Sequence, residues 1–108
     1  MKVYISIPIS GHDEAKVREH ADLTRAMLSR AGHEVVTPFD IYAGENPKYE
    51  DYLSEDLKVL YRCDAVYLCE GWQFSKGCQI EAYYAHTFGK VILYEHQPEN
   101  PSVYYFER

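Results

Sequence analysis

"DAVYLCEGWQFSKGCQIEAYYAHTFGKVILYE", residues 64–95, is the stretch on which the fold turns. It opens on a β-branched and aromatic run, passes through a loop with Gly and Ser, takes up helical spacing, and closes on a second β-branched run. Within the helical part, Cys78, Ala82, Ala85 and Gly89 form a stripe of small residues, the face a helix lays against a sheet. Strand, helix and strand in that order predict two parallel strands joined by a right-handed crossover. Glu81 is out of keeping with this pattern. On ideal helix geometry it lies about 60° from the small-residue stripe, at the edge of the buried face, where a charge is costly.

The same alternation runs back to the start of the chain. "KVYISI" (2–7) and "HEVVTP" (33–38) are two further strand candidates beside "DAVYLC" (64–69) and "KVILYE" (90–95). In "DEAKVREHADLTRAMLSRAG" (13–32), Val17, Ala21, Thr24, Leu28 and Ala31 keep one helical face, and Gly32 is a natural stop. In "YEDYLSEDLKVLYRC" (49–63), Leu53, Leu57 and Leu60 do the same. The reading is an α/β fold over residues 1–108 as one domain: a doubly wound, flavodoxin-like parallel sheet of four to five strands with helices on both faces. "AGENPKYED" (43–51) reads as a polar loop. "HQPENPSVYYFER" (96–108) reads as a Pro-bearing tail able to form a short edge strand or a partner contact.

Composition narrows the function. The 108 residues are 46% hydrophobic and 26% charged, the balance of a globular chain. A net charge of −6 without a Lys/Arg run argues against nucleic-acid or membrane-surface binding, and no apolar stretch is long enough to span a bilayer. "MKVYISIPIS" reads as a first strand broken by Pro8 rather than as a signal peptide. Cys63, Cys69 and Cys78 are odd in number and lack C-x-x-C spacing, so a reduced, cytoplasmic protein is expected. The five histidines are scattered, with neither H-x-x-x-H nor a Cys/His cluster in sequence, so no metal centre is expected.

In a doubly wound sheet, ligands bind beyond the carboxyl ends of the strands where strand order reverses. The loops leaving the first and third strands are "IPISGH" (7–12) and "CEGWQFSKG" (69–77), both with the Gly and Ser that suit close approach to an oxygen-rich ligand. Neither is a Walker loop or a G-x-G-x-x-G fingerprint, which points away from nucleotide hydrolysis and dinucleotide redox chemistry. Asp56 repeats the anomaly of Glu81, about 60° from the centre of the Leu53–Leu57–Leu60 stripe. Each acid has a plain reading as a border residue whose tip reaches water or a basic partner. Asp64 suits a turn or cap, Asp40 either a ligand contact or a loop, and Trp72 packing rather than base stacking. The functional reading of a carboxylate pair at such a crevice is glycosidic-bond chemistry, one option among several on the residues alone.

Residues 56–90, "DLKVLYRCDAVYLCEGWQFSKGCQIEAYYAHTFGK", resemble the core of the nucleoside 2-deoxyribosyltransferase-like superfamily. The likeness rests on three blocks: Asp56 and Asp64, then Ser75, Gly77 and Glu81 in a Ser-x-Gly-x-x-x-Glu pattern, and Tyr4, Ile9 and Gly11 in "VYISIPISG". It is nearest to a branch of small bacterial and phage proteins, related to deoxynucleoside 5'-monophosphate N-glycosidases. The resemblance implies that Glu81 is the nucleophile at the anomeric carbon, Asp56 the acid serving the leaving base, and Tyr4 the phenol that orients Glu81. It further implies that Ile9, Gly11, Ser75 and Gly77 line the sugar or 5'-phosphate end. Ile7 stands where the family often has Gly, Ser10 where monophosphate-cleaving members carry a basic residue, and Gln79 where a second Gly is common.

The implied activity is cleavage or transfer of the N-glycosidic bond of a nucleoside or nucleoside 5'-monophosphate, with no cofactor and no metal. The alternative is a non-catalytic nucleotide-binding or sensing module on the same fold. Eleven tyrosines, with "VYYF" near the end, also predict a homodimer or higher homo-oligomer, because a chain of this length has little interior for so many rings.

Overall fold

The computed structural model describes residues 1–97; the "VYYF" segment and most of the Pro-bearing tail lie outside the described residues. Strand β1 (Lys2–Ser6) leads through the "IPISGH" loop into helix α1 (Glu14–Arg30), and β2 (Glu34–Val36) follows. After a 3₁₀ turn at Pro38–Asp40 come α2 (Tyr49–Tyr61), β3 (Ala65–Leu68), a 3₁₀ turn at Trp72–Phe74, α3 (Lys76–Thr87) and β4 (Val91–Tyr94). The sheet order is β2-β1-β3-β4 and every pairing is parallel. Strand order therefore reverses between β1 and β3, as a flavodoxin-like winding requires.

Local chemistry sets the element boundaries. Asp13 caps α1 by accepting from the Ala15 N–H (3.0 Å), and Asp51 accepts from the Lys48 N–H (2.8 Å) at the start of α2. Ser75 caps α3 by accepting from the Cys78 N–H (3.3 Å). At the other end, Gly89 adopts φ +68°, and the next N–H, of Lys90, returns to the Ala85 carbonyl (2.8 Å). Gly89 thus terminates α3 rather than completing its buried stripe, which consists of Cys78, Ala82 and Ala85 together with Glu81.

The period of two in β1 divides the core. Val3 and Ile5 join Val17, Ala21 and Leu28 of α1 on one face of the sheet. Tyr4 faces the other way and packs with Leu60 of α2 and Cys78, Ala82 and Ala85 of α3. The central strands β1 and β3 are covered on both faces, so they read as continuous apolar runs. Among the described residues, no helix is long and apolar enough to cross a membrane.

Candidate active site

The two acids placed at helix borders by their spacing are in fact inside. Glu81 is 4% exposed, and Asp56, at 9%, is more buried than Leu53 and Leu57 of its own helix. The physical reason is a polar floor supplied by β1. Tyr4 and Ser6 share one face of the strand, both fully buried. The Tyr4 hydroxyl donates to Glu81 Oε2 (2.8 Å) and the Ser6 hydroxyl donates to Glu81 Oε1 (2.6 Å). Each carboxylate oxygen thus has its own O–H donor, which makes burial of this side chain tolerable. Ser6 is the partner that spacing overlooked. Its position two residues after Tyr4 is the signal that finds it, because i and i+2 share a strand face.

Asp56 approaches the same polar group from α2, near enough for Tyr4 and Glu81 to act on its carboxyl. Burial pushes the Asp56 carboxyl up to about 6, with hydrogen bonds from Tyr4 and Glu81 opposing the rise. Burial likewise pushes Glu81 up to about 8; the Ser6 hydrogen bond opposes this and the Asp56 charge reinforces it. Groups in such contact titrate as a pair rather than singly. The Tyr4 phenol, buried against both acids, is raised well above its ordinary value and stays a neutral donor. Cys78, one turn before Glu81, is raised to about 11, chiefly by burial and then by the Glu81 charge, so it stays a thiol.

Above this floor opens a crevice of about 830 Å³ at the carboxyl ends of the strands. Glu81, Asp56 and Cys78 face it from below. The "IPISGH" loop contributes Ile7, Ile9, Ser10 and His12, and the start of α3 contributes Ser75, Lys76 and Gly77. Phe39, Tyr49, Tyr52 and Phe74 provide aromatic walls, and Phe74 is 90% exposed. Arg18 enters from α1, stacked over the Phe39 ring at 4.3 Å. Gly77 has a steric role: a Cβ there would stand 3.0 Å from the Tyr49 hydroxyl.

Of the seven residues singled out from sequence, Glu81, Asp56, Ile9, Ser75 and Gly77 line the crevice and Tyr4 lies directly beneath it. Gly11 does not line it. It is exposed at φ +82°, in the turn closed by the His12 N–H on the Ile9 carbonyl (3.1 Å), and its flanking residues Ser10 and His12 take the lining positions. Asp64 and Trp72 take the structural roles expected of them, and Asp40, open to either reading, is structural too. Asp64 accepts from the Lys2 N–H (2.8 Å) at the amino ends of the strands, remote from the crevice. Asp40 accepts from the Thr37 N–H (2.8 Å) and pairs with Arg25, and Trp72 is buried in the α2/α3 core beside Tyr94. His12, Phe74 and Lys76 lie in the two loops the sequence pointed to, whereas Arg18, Phe39, Tyr49 and Tyr52 escaped the sequence reading, because they converge from separate elements and share no spacing.

A family model for a domain of unknown function, DUF4406, matches residues 1–94. The chain belongs to that family. This DUF4406 chain also resembles the solved structure of the 2-deoxyribosyltransferase from the psychrotolerant bacterium Bacillus psychrosaccharolyticus, characterised as a biocatalyst for nucleoside synthesis. The TM-score is 0.68 at 18% sequence identity, over 87% of this chain and 71% of that one, a likeness of fold. No curated protein sequence matches the chain.

Proposed function

We propose that this DUF4406 protein cleaves or transfers the N-glycosidic bond of a nucleoside or nucleoside 5'-monophosphate. The observation that carries the reading is the Glu81 carboxylate, buried on the crevice floor with one hydroxyl donor on each oxygen and Asp56 beside it. A border residue serving only solubility has no need of two buried donors. The likeness of fold to a 2-deoxyribosyltransferase supports the same reading.

The chemistry follows from the pair. Glu81 attacks the anomeric carbon, the bond from that carbon to the base nitrogen breaks, and its electrons leave with the base. Asp56 delivers a proton to the departing base. Water or a second base then displaces the Glu81 ester, giving hydrolysis or transfer. A pair with apparent values near 6 and 8 holds one proton between them, so it offers one anion and one acid near neutrality. The resting proton is on Glu81, the member with the higher value, and the donors on both its oxygens stabilise the anion that forms when this proton passes to Asp56, which then holds it for the base. Tyr4 and Ser6 also fix the direction from which the carboxylate meets the sugar.

The second reading, a nucleotide-binding module without catalysis, draws on the same burial, because a Glu81 held protonated would donate a hydrogen bond instead of attacking. A panel of nucleosides and 5'-monophosphates, scored by chromatography for free base, separates the two. Base release lost in Glu81→Gln with ligand binding retained supports the enzyme. Saturable nucleotide binding with no base released over long incubation selects the module. A rate unaffected by Glu81→Gln overturns the mechanism.

A further inference from the structure

We propose that His20, Cys69 and Glu95 form a binding site for a zinc-like divalent cation at the rim of the sheet, separate from the crevice. The three come from α1, from the end of β3 and from the end of β4. One donor atom from each lies within 4.8 Å of the others. Their distance along the chain hides the cluster from any reading of spacing. His20 Nε2 stands 2.9 Å from Glu95 Oε1. Cys69 is fully buried while His20 and Glu95 are partly exposed, so the sulfur forms the floor and the other two the mouth. His96 Nε2 lies 3.7 Å from Glu95 Oε2, and Glu70, Glu95 and His96 make a second close group that shares Glu95.

The donor set names the cation class. A sulfur, an imidazole nitrogen and a carboxylate oxygen suit zinc and its borderline neighbours, whereas magnesium and calcium favour oxygen alone. Tetrahedral ligands at about 2.0–2.3 Å from a zinc ion stand about 3.3–3.8 Å from one another, so the His20–Glu95 edge needs to open only by a few tenths of an ångström. A neighbour already holds Glu95 in place. The Glu70 N–H donates to Glu95 Oε1 (3.0 Å). Such outer partners are what orient ligands at metal sites. On binding, the Cys69 thiol gives its proton to solvent and the sulfur enters as thiolate.

None of these five side chains lines the crevice, so the cation is structural. It ties α1 to the ends of β3 and β4, and Cys69 opens the loop that carries Phe74 and Ser75 to the crevice wall. The rival account is a plain His20–Glu95 ion pair joining the same elements without a metal.

The test is titration of the chelator-treated full chain with zinc and with cobalt(II). One equivalent should bind, cobalt should show the near-ultraviolet charge-transfer absorption of a thiolate ligand, and Tm should climb with zinc concentration. Cys69→Ser should abolish the charge-transfer band. Because that buried change can also weaken the fold, His20→Gln at the part-exposed mouth provides a second arm, expected to lower zinc affinity at least tenfold with the fold retained. The proposal is overturned if cobalt gives no thiolate band in the unaltered chain. It is equally overturned if His20→Gln and Glu95→Gln bind zinc as tightly as the parent.

Discussion

The two faces of the sheet are built on opposite principles, although one strand serves both. On the α1 face, β1 presents Val3 and Ile5 to Val17, Ala21 and Leu28, and the contact is apolar throughout. On the α2/α3 face the same strand presents Tyr4 and Ser6, and against them α3 and α2 bury Glu81 and Asp56. The first arrangement gains stability from removing apolar area from water. The second places two carboxyl groups where burial pushes both above their ordinary range, which sets the native state against their ionisation. One face is made to hold the fold together, and the other gives up stability for a polar site. Buried titratable pairs of that kind cluster at functional sites.

The sharpest way to break the contrast is Glu81→Gln. On the α2/α3 face it should reduce base release by about 10³-fold or more while the protein stays folded, since the neutral amide keeps the shape but not the charge. A purely structural Glu81 would leave the rate alone. Next in size is Ile5→Ala on the α1 face, expected to cost about 2–5 kcal/mol in denaturant unfolding, with turnover per folded molecule unchanged. Should Ile5→Ala abolish turnover in fully folded protein, the division of labour between the faces fails.

Asp56→Asn comes third. It should slow base release by about 10²-fold, most for bases that leave poorly without protonation. Uniform slowing across all bases would point to a positioning role for Asp56 instead.

The pH dependence is subtler and its sign is fixed. Both acids have folded values above their unfolded ones, so the native state keeps protons that the unfolded chain releases. The stability this contributes is complete below about pH 4, the unfolded range. It is lost as pH rises through about 6 for Asp56 and about 8 for Glu81. Glu81→Gln removes most of this loss, so its Tm should match the parent near pH 4 and exceed it by a few degrees at pH 8.5. Turnover should follow a bell between the same two apparent values. Equal Tm differences at both pH values would show that Glu81 is not held protonated by burial.

The smallest expected effect is that of Gly77→Ala. Its new methyl group meets the Tyr49 hydroxyl at 3.0 Å, a side-chain tip that can yield. Alanine is also the better helix former in the first turn of α3. Tm should hold or rise slightly, while KM increases as Tyr49 is displaced into the crevice. An unchanged KM would remove the Tyr49 wall from the proposed ligand contacts.

The winding of the sheet was legible in the chain because it depends on local pattern. β-branched runs, helical stripes and Gly32 as a stop are short-range signals, and the strands and helices form where those signals place them. The same periodicity exposed Glu81 and Asp56 as misplaced acids, but only as border residues. Their depth depends on what lies opposite, and a helix pattern carries no information about the strand it will meet. Tyr4 and Ser6 are far from Glu81 in sequence and in hydrogen-bond contact with it in space. The crevice walls at Arg18, Phe39 and Tyr49, and the meeting of His20 with Cys69 and Glu95, have the same origin. Local spacing determined which elements form and in what order they wind. Which side chains face one another across those elements was decided only when the crossovers brought the carboxyl ends of β1, β3 and β4 side by side.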